Sequence, residues 1–323
     1  MVKSFFPMSE STSPFISVVS PVYGAANLVD LLVANISQVL QTITSSYEII
    51  LVDDGSPDAA WTKIEQNAHR LPRVKGIKLS RNFGQHQAIM AGLKYSTGKW
   101  VVVMDCDLQD NPLEFPRMFQ KAQEGYKIVL AQRNNKKHNS LIIFLSQIFN
   151  RILSYLTGTT FDSRIGNFGL YHREVITTIC QMPESMHYFP LMVQKAKIER
   201  AILATEHQKR PLGSSSYSLV KKLKLAFKVL SSYSSKLLKL TIRLGTILAL
   251  VAVSTTLLYF IFIPFNSLTT LGAIFNFVSI GFWAGFVLFL PGIMGLYLAK
   301  ITTGTKKQPL YRIEEKVNFE PGL

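Results

Sequence analysis

Apolar residues recur along the first two-thirds of the chain with two alternating periods. Short aliphatic runs at Ile16–Val19, Ile49–Val52, Val74–Leu79, Trp100–Met104 and Ile128–Ala131 read as strands. Between them the spacing turns helical. Leu28, Leu31, Leu32, Ile36, Val39 and Leu40 mark one helix, and residues 59–70, 85–95 and 113–123 mark three more. A shorter strand at Phe168–Tyr171 precedes a helix over Arg173–Gln181. Strands alternating with helices of this length predict an α/β domain with a parallel sheet covered on both faces.

Further along, the pattern changes. Ile142, Leu145, Ile148, Phe149, Ile152 and Leu156 form one helical stripe, expected to cover a sheet edge or a membrane surface. Leu223, Phe227, Leu230, Leu237 and Leu238, interleaved with lysines over Leu219–Leu240, predict an amphipathic helix lying in an interface plane. From Leu244 to Ala299 no residue is charged. That stretch suits two membrane spans of ~20 residues each, joined by a turn at Pro264-Phe265-Asn266-Ser267. The expected organisation is a flexible tail at 1–14, an α/β domain at 15–207 and a basic juxtamembrane region at 208–243. A transmembrane hairpin at 244–299 and a cytoplasmic tail at 300–323 complete it.

The net charge of +15 is concentrated around this hairpin. No Asp or Glu lies between Glu206 and Glu314, whereas lysines and arginines flank both outer ends and the connecting turn has none. The positive-inside rule then predicts a multi-pass protein of the inner (plasma) membrane, with the α/β domain and both termini cytoplasmic. Attraction to anionic lipid accounts for these charges and argues against a nucleic-acid partner. Cys106 and Cys180 show no metal-ligand spacing and are expected to be reduced. Met1–Pro14 lacks the layout of a signal peptide.

The chemistry concentrates at strand ends. Asp105 and Asp107 follow Trp100-Val-Val-Val103 one residue apart, where both carboxylates can reach a hard divalent cation. In an isolated instance such a pair is more often a turn-forming strand end. Here a second acidic strand end, Val52-Asp-Asp-Gly-Ser56, lies upstream in the same pattern. Ligands of open α/β sheets bind at the carboxyl ends of the strands.

Together these segments resemble glycosyltransferase family 2 on a GT-A (Rossmann-like) fold, in the polyprenyl-phosphate glycosyltransferase branch. That branch includes dolichol-phosphate mannose synthase and undecaprenyl-phosphate glucosyltransferases. The resemblance rests on Ser17-Val-Val-Ser-Pro-Val-Tyr23, Val52-Asp-Asp-Gly-Ser56, Leu79-Ser-Arg-Asn-Phe-Gly84, Met104-Asp-Cys-Asp-Leu-Gln-Asp-Asn-Pro112 and Arg210-Pro-Leu-Gly-Ser-Ser-Ser-Tyr217. It implies that Pro21, Tyr23, Asp53, Asp54, Gly55, Ser80 and Asp105 bind the nucleotide, with Gly55 permitting a tight turn close to it. It also implies that Asp105, Asp107 and Gln109 bind Mg²⁺ or Mn²⁺ and the diphosphate, and it places Asp105, Asp107 and Arg210 in the catalytic centre. Arg133, Arg210, Asn167, Ser216 and Tyr217 fall to the phosphate and acceptor side. For Arg133 an ordinary surface arginine is an equal alternative, and for Ser216 and Tyr217 a simple linker.

Two departures stand out. The first loop reads Val22-Tyr-Gly-Ala25 where the branch has V-Y-N-E, which removes polar contacts near the nucleotide. Gly166-Asn-Phe168 stands where many relatives have G-D-F, so Asn167 replaces a candidate base. The resemblance implies an inverting transferase moving a sugar from a nucleotide-sugar, UDP-linked, to a polyprenyl phosphate at the cytoplasmic membrane face. The alternatives are direct elongation of a lipid-linked saccharide, or an inactive nucleotide-sugar-binding membrane scaffold. A homo-oligomer is compatible with each of them.

Overall fold

The computed structural model describes residues 14–133, 165–182, 188–205 and 311–319, with isolated helical positions between 243 and 298. The chain divides into two compact units, one formed by Met1–Ser154, Thr159–Leu219 and Pro309–Leu323 and the other by Tyr155–Gly158 and Val220–Gln308.

The first unit is built in the order β1 (Ile16–Val22), α1 (Ala26–Ile43), β2 (Tyr47–Asp53), α2 (Ala60–Arg70), β3 (Val74–Leu79), α3 (Gln85–Tyr95) and β4 (Trp100–Val103). A single 3₁₀ turn (Pro112–Glu114), α4 (Phe115–Gln123), β5 (Ile128–Arg133), β6 (Ile165–His172), α5 (Arg173–Cys180), α6 (Phe189–Lys195), β7 (Arg200–Thr205) and β8 (Ile313–Val317) follow. The strands form one sheet in the order β7-β5-β6-β4-β1-β2-β3-β8.

The first four strands are mutually parallel, as the alternation of strands and helices predicts. The wholly parallel sheet is corrected, because β6 runs antiparallel between β4 and β5 and β8 runs antiparallel along β3. Strand direction is set by the route of the connecting chain, which hydrophobic period does not encode.

Continuous apolar runs in the central strands follow from burial on both faces. Val18, Ile49, Leu51 and Val102 point into one core with α1, α2 and α4. Val19, Ile50, Val52, Val101 and Val103 point into the other with α3, α5 and α6. β1 lies between β4 and β2, so the strand order reverses between β1 and β4. Such a reversal opens a crevice at the carboxyl ends of the strands, the usual ligand position in open α/β sheets.

The segment read as a tail contributes β8. Gly76 of β3 pairs with Val317, and a Cβ on Gly76 would fall 2.7 Å from Val317 Cγ1. Asn318 Nδ2 then donates to the carbonyls of Ala68 and Val74.

Among the described residues no helix is long and apolar enough to cross a membrane. The expected hairpin at 244–299, save for isolated positions, and the helices expected over 141–156 and 219–240 lie outside the described residues. In the second unit Ile247, Leu250, Phe282, Met294 and Leu298 are helical and expose large apolar side chains.

Candidate active site

The crevice is assembled from four strand ends. β1 and β2 stay in register to Val22 and Asp53, and the Asp54 N–H donates to the Val22 carbonyl at 2.9 Å. Pro21 is buried within β1, and Tyr23, just past its end, is half exposed. The Gly24 N–H reaches Ser56 Oγ at 3.2 Å, tying the first loop to the second.

Asp53 and Asp54 are both buried. Asp53 Oδ1 accepts the Ser56 N–H at 3.1 Å. The Asp54 carboxylate accepts the Phe83 and Gly84 N–H groups at 2.8 and 2.9 Å, so it clamps the loop between β3 and α3. Burial pushes both carboxyls up, Asp54 to about 6, against the opposing pull of those N–H donors. Gly55 sits at φ 63°, and a Cβ there would fall 2.5 Å from the Arg81 carbonyl carbon. Glycine is required here for the packing of one loop's backbone on another's. The Ser80 N–H donates to the Arg312 carbonyl at 2.9 Å, which joins the third strand end to the start of β8.

Asp105 and Asp107 follow β4 at the point where strand order reverses. Asp107 Oδ1 accepts the Gln109 N–H at 3.2 Å, closing a local turn. Inside it, buried Leu108 takes φ 57°, a left-handed conformation uncommon for a non-glycine residue and held only where the surroundings enforce it. Asn111 accepts the Leu113 N–H and starts the 3₁₀ turn with Pro112. Asp105 Oδ1 accepts Gln85 Nε2 at 2.6 Å and lies 3.4 Å from Asn167 Nδ2. Between the two acids, burial and the neighbouring Asp105 charge push the Cys106 thiol up to about 12, so it stays protonated and chemically quiet.

The structure thus brings Asp53, Asp54, Gly55, Ser80, Asp105, Asp107, Gln109 and Asn167 to one end of the sheet. Arg133 closes β5, in register with Thr205. Arg210, Ser216 and Tyr217 lie outside the described residues. Sequence reasoning passed over Gln85. Its signal was a polar residue opening a helix directly after Ser80-Arg-Asn-Phe-Gly84, where a side chain can face the crevice.

Two carboxylates at one strand end fit Mg²⁺ or Mn²⁺, hard ions held by one or two protein carboxylates and completed by substrate phosphates. Among the described residues no larger cluster of His, Cys, Asp and Glu gathers.

An open α/β sheet with acidic loops at its switch point is a frame that binds ligands, nucleotides among them, in that crevice. Residues 17–180 match glycosyl transferase family 2, and the chain belongs to that family: it is a nucleotide-sugar glycosyltransferase. Among solved structures it is similar to mannosyl-3-phosphoglycerate synthase from Rubrobacter xylanophilus, at 17% identity over 68% of this chain and 72% of that one, with a TM-score of 0.50. It is also similar to glucosyl-3-phosphoglycerate synthase from Mycobacterium tuberculosis in complex with Mn²⁺ and UDP-glucose, at 16% identity over 68% of this chain and 77% of that one, with a TM-score of 0.47. The first likeness shows a shared fold.

Proposed function

We propose that the protein transfers a sugar, with inversion, from a UDP-linked donor to a polyprenyl phosphate at the cytoplasmic face of the membrane. The observation that carries this reading is Asn167, buried beside Asp105, at the position to which the family resemblance assigns a candidate base. An amide cannot take a proton from an attacking hydroxyl. A phosphate monoester needs no such help, because its second pKa near ~6 leaves it mostly dianionic at pH 7.

In this scheme Asp105, Asp107 and Gln109 would hold the cation and, through it, the donor diphosphate. When bound there, a divalent cation would provide Lewis-acid neutralisation of the charge on the departing nucleoside diphosphate. Asp54 keeps the β3–α3 loop in place while the acceptor oxygen attacks the anomeric carbon opposite the leaving group. The new carbon–oxygen bond forms as the bond to the diphosphate breaks. Arg133 and Arg210 are assigned to phosphate contacts, since guanidinium matches them bidentately. The uncharged stretch 244–299 and the apolar side chains exposed in the second unit support a lipid acceptor. The same features support the membrane location.

The test is UDP release by the full chain in detergent with Mn²⁺, a panel of UDP-sugars and three acceptors. Release that depends on polyprenyl phosphate is expected. Dependence on a lipid-linked saccharide would favour elongation, and dependence on 3-phosphoglycerate would favour a soluble acceptor. Nucleotide binding without release under any condition would favour a scaffold.

A further inference from the structure

Gln85 is the first residue of α3, and its Nε2 donates to Asp105 Oδ1 at 2.6 Å. Its position is not left to chance. The two residues before it, Phe83 and Gly84, are held through their N–H groups by Asp54. A continuous link therefore runs from the end of β2, through the β3–α3 loop, to the acid at the end of β4. On the other side Asn167 of β6 brings a second amide to the same Asp105 oxygen, at 3.4 Å.

The chemistry of these two donors is informative. Amides supply hydrogen bonds without formal charge, so they can fix a carboxylate's orientation while its full negative charge stays available to a cation. Lysine or arginine in either place would compete with the metal. We propose that Gln85 is a positioning residue that, with Asn167, clamps Asp105 in the orientation it presents to a divalent cation and the donor diphosphate. This rests on the metal role of Asp105 proposed above. Asn167 then has a use besides its inability to act as a base: a carboxylate there would set a second negative charge against Asp105.

Mn²⁺ binding to the UDP-loaded full chain, read by electron paramagnetic resonance of free Mn²⁺, tests the inference in wild type, Gln85→Ala and Gln85→Met. Methionine keeps the length of the side chain and cannot donate, so it serves if the alanine variant does not fold. Both variants are expected to bind Mn²⁺ roughly 10–100-fold more weakly. Their melting temperatures should stay within about a degree of wild type, and kcat should return to within about threefold at saturating Mn²⁺. A merely structural role would lower the melting temperature without moving the metal dependence. Mn²⁺ affinity within twofold of wild type in both variants overturns the positioning role. Absence of Mn²⁺ binding by the UDP-loaded wild type overturns the metal reading, and this inference with it.

Discussion

Glu48 and Asp53 sit at opposite ends of β2, both are buried, and the fold treats their charges in opposite ways. Glu48 Oε1 accepts Ser17 Oγ, the Thr97 N–H and Thr97 Oγ1 at 2.6, 2.8 and 3.0 Å. Its Oε2 accepts Lys75 Nζ at 2.7 Å. Burial alone would raise the Glu48 carboxyl, but Lys75, Ser17 and Thr97 outweigh it and bring it below the ordinary value. At the crevice end burial raises Asp53 and Asp54, the through-space pull of Lys78 on Asp53 does not reverse it, and among the described residues no Lys or Arg forms an ion pair with either carboxylate. One end of the strand is electrostatically closed. The other keeps two buried acids that no cation of the described residues pairs with, a pattern that points to a ligand site.

The sharpest break of this contrast is Asp107→Asn. Losing one anionic ligand is expected to cost about 4 kcal/mol of transition-state stabilisation, or about 10³-fold in kcat/KM, with the melting temperature unchanged. Steady-state kinetics at limiting Mn²⁺ check it, and near-wild-type turnover would remove Asp107 from the site.

At the closed end the effect should fall on stability. Lys75→Met strands Glu48 without its cation, at an expected cost of about 3 kcal/mol in urea denaturation, while the folded fraction keeps its specific activity. A loss below about 0.5 kcal/mol would show that Ser17 and Thr97 alone hold Glu48.

The third test uses pH. The folded Asp54 carboxyl lies at about 6 against 3.8 for the free group, so folding favours its proton. Its contribution is fully present below pH 3.8 and lost as pH rises through 6. Relative to Asp54→Asn, the wild type should therefore lose about 2 kcal/mol of stability between pH 4 and pH 7. Parallel stability–pH curves for the two proteins would contradict the raised value.

The smallest effect concerns the returning tail. Asn318→Ala removes two side-chain bonds that tie β8 to α2 and β3, at an expected cost of about 1 kcal/mol and no change in kcat. A loss of UDP affinity by calorimetry at unchanged stability would instead make the tail part of the nucleotide site.

Elements whose hydrophobic pattern lies within their own residues are legible in the chain. The pattern predicts Val74–Leu79 and Gln85–Tyr95 to the residue, and the acids of Val52-Asp-Asp-Gly-Ser56 and Met104-Asp-Cys-Asp107 lie at the same end of the sheet. Elements defined by distant partners are not. Ile313-Glu-Glu-Lys-Val317 carries three charges in five residues and reads as a solvated tail. It becomes a strand only because β3 offers an edge and Gly76 makes room for Val317. Charges on such a strand also discourage pairing with other chains. β7 and α6 are not predicted for a similar reason, being short, with Lys195 and Arg200 at their facing ends and Lys197 and Glu199 between them. Within the site, the acids announced themselves by type and position, whereas the Gln85–Asp105–Asn167 contact joins residues from three elements.

The most direct test of the central claim is the linkage in the product. Purified full chain is incubated with a UDP-sugar, Mn²⁺ and polyprenyl phosphate, and the lipid product is analysed by mass spectrometry and mild acid hydrolysis. A single sugar joined to the lipid phosphate is expected, released by mild acid and with an anomeric configuration opposite to that in the donor. A sugar joined to the hydroxyl of another saccharide, with no glycosyl-phosphate bond detected, would contradict it.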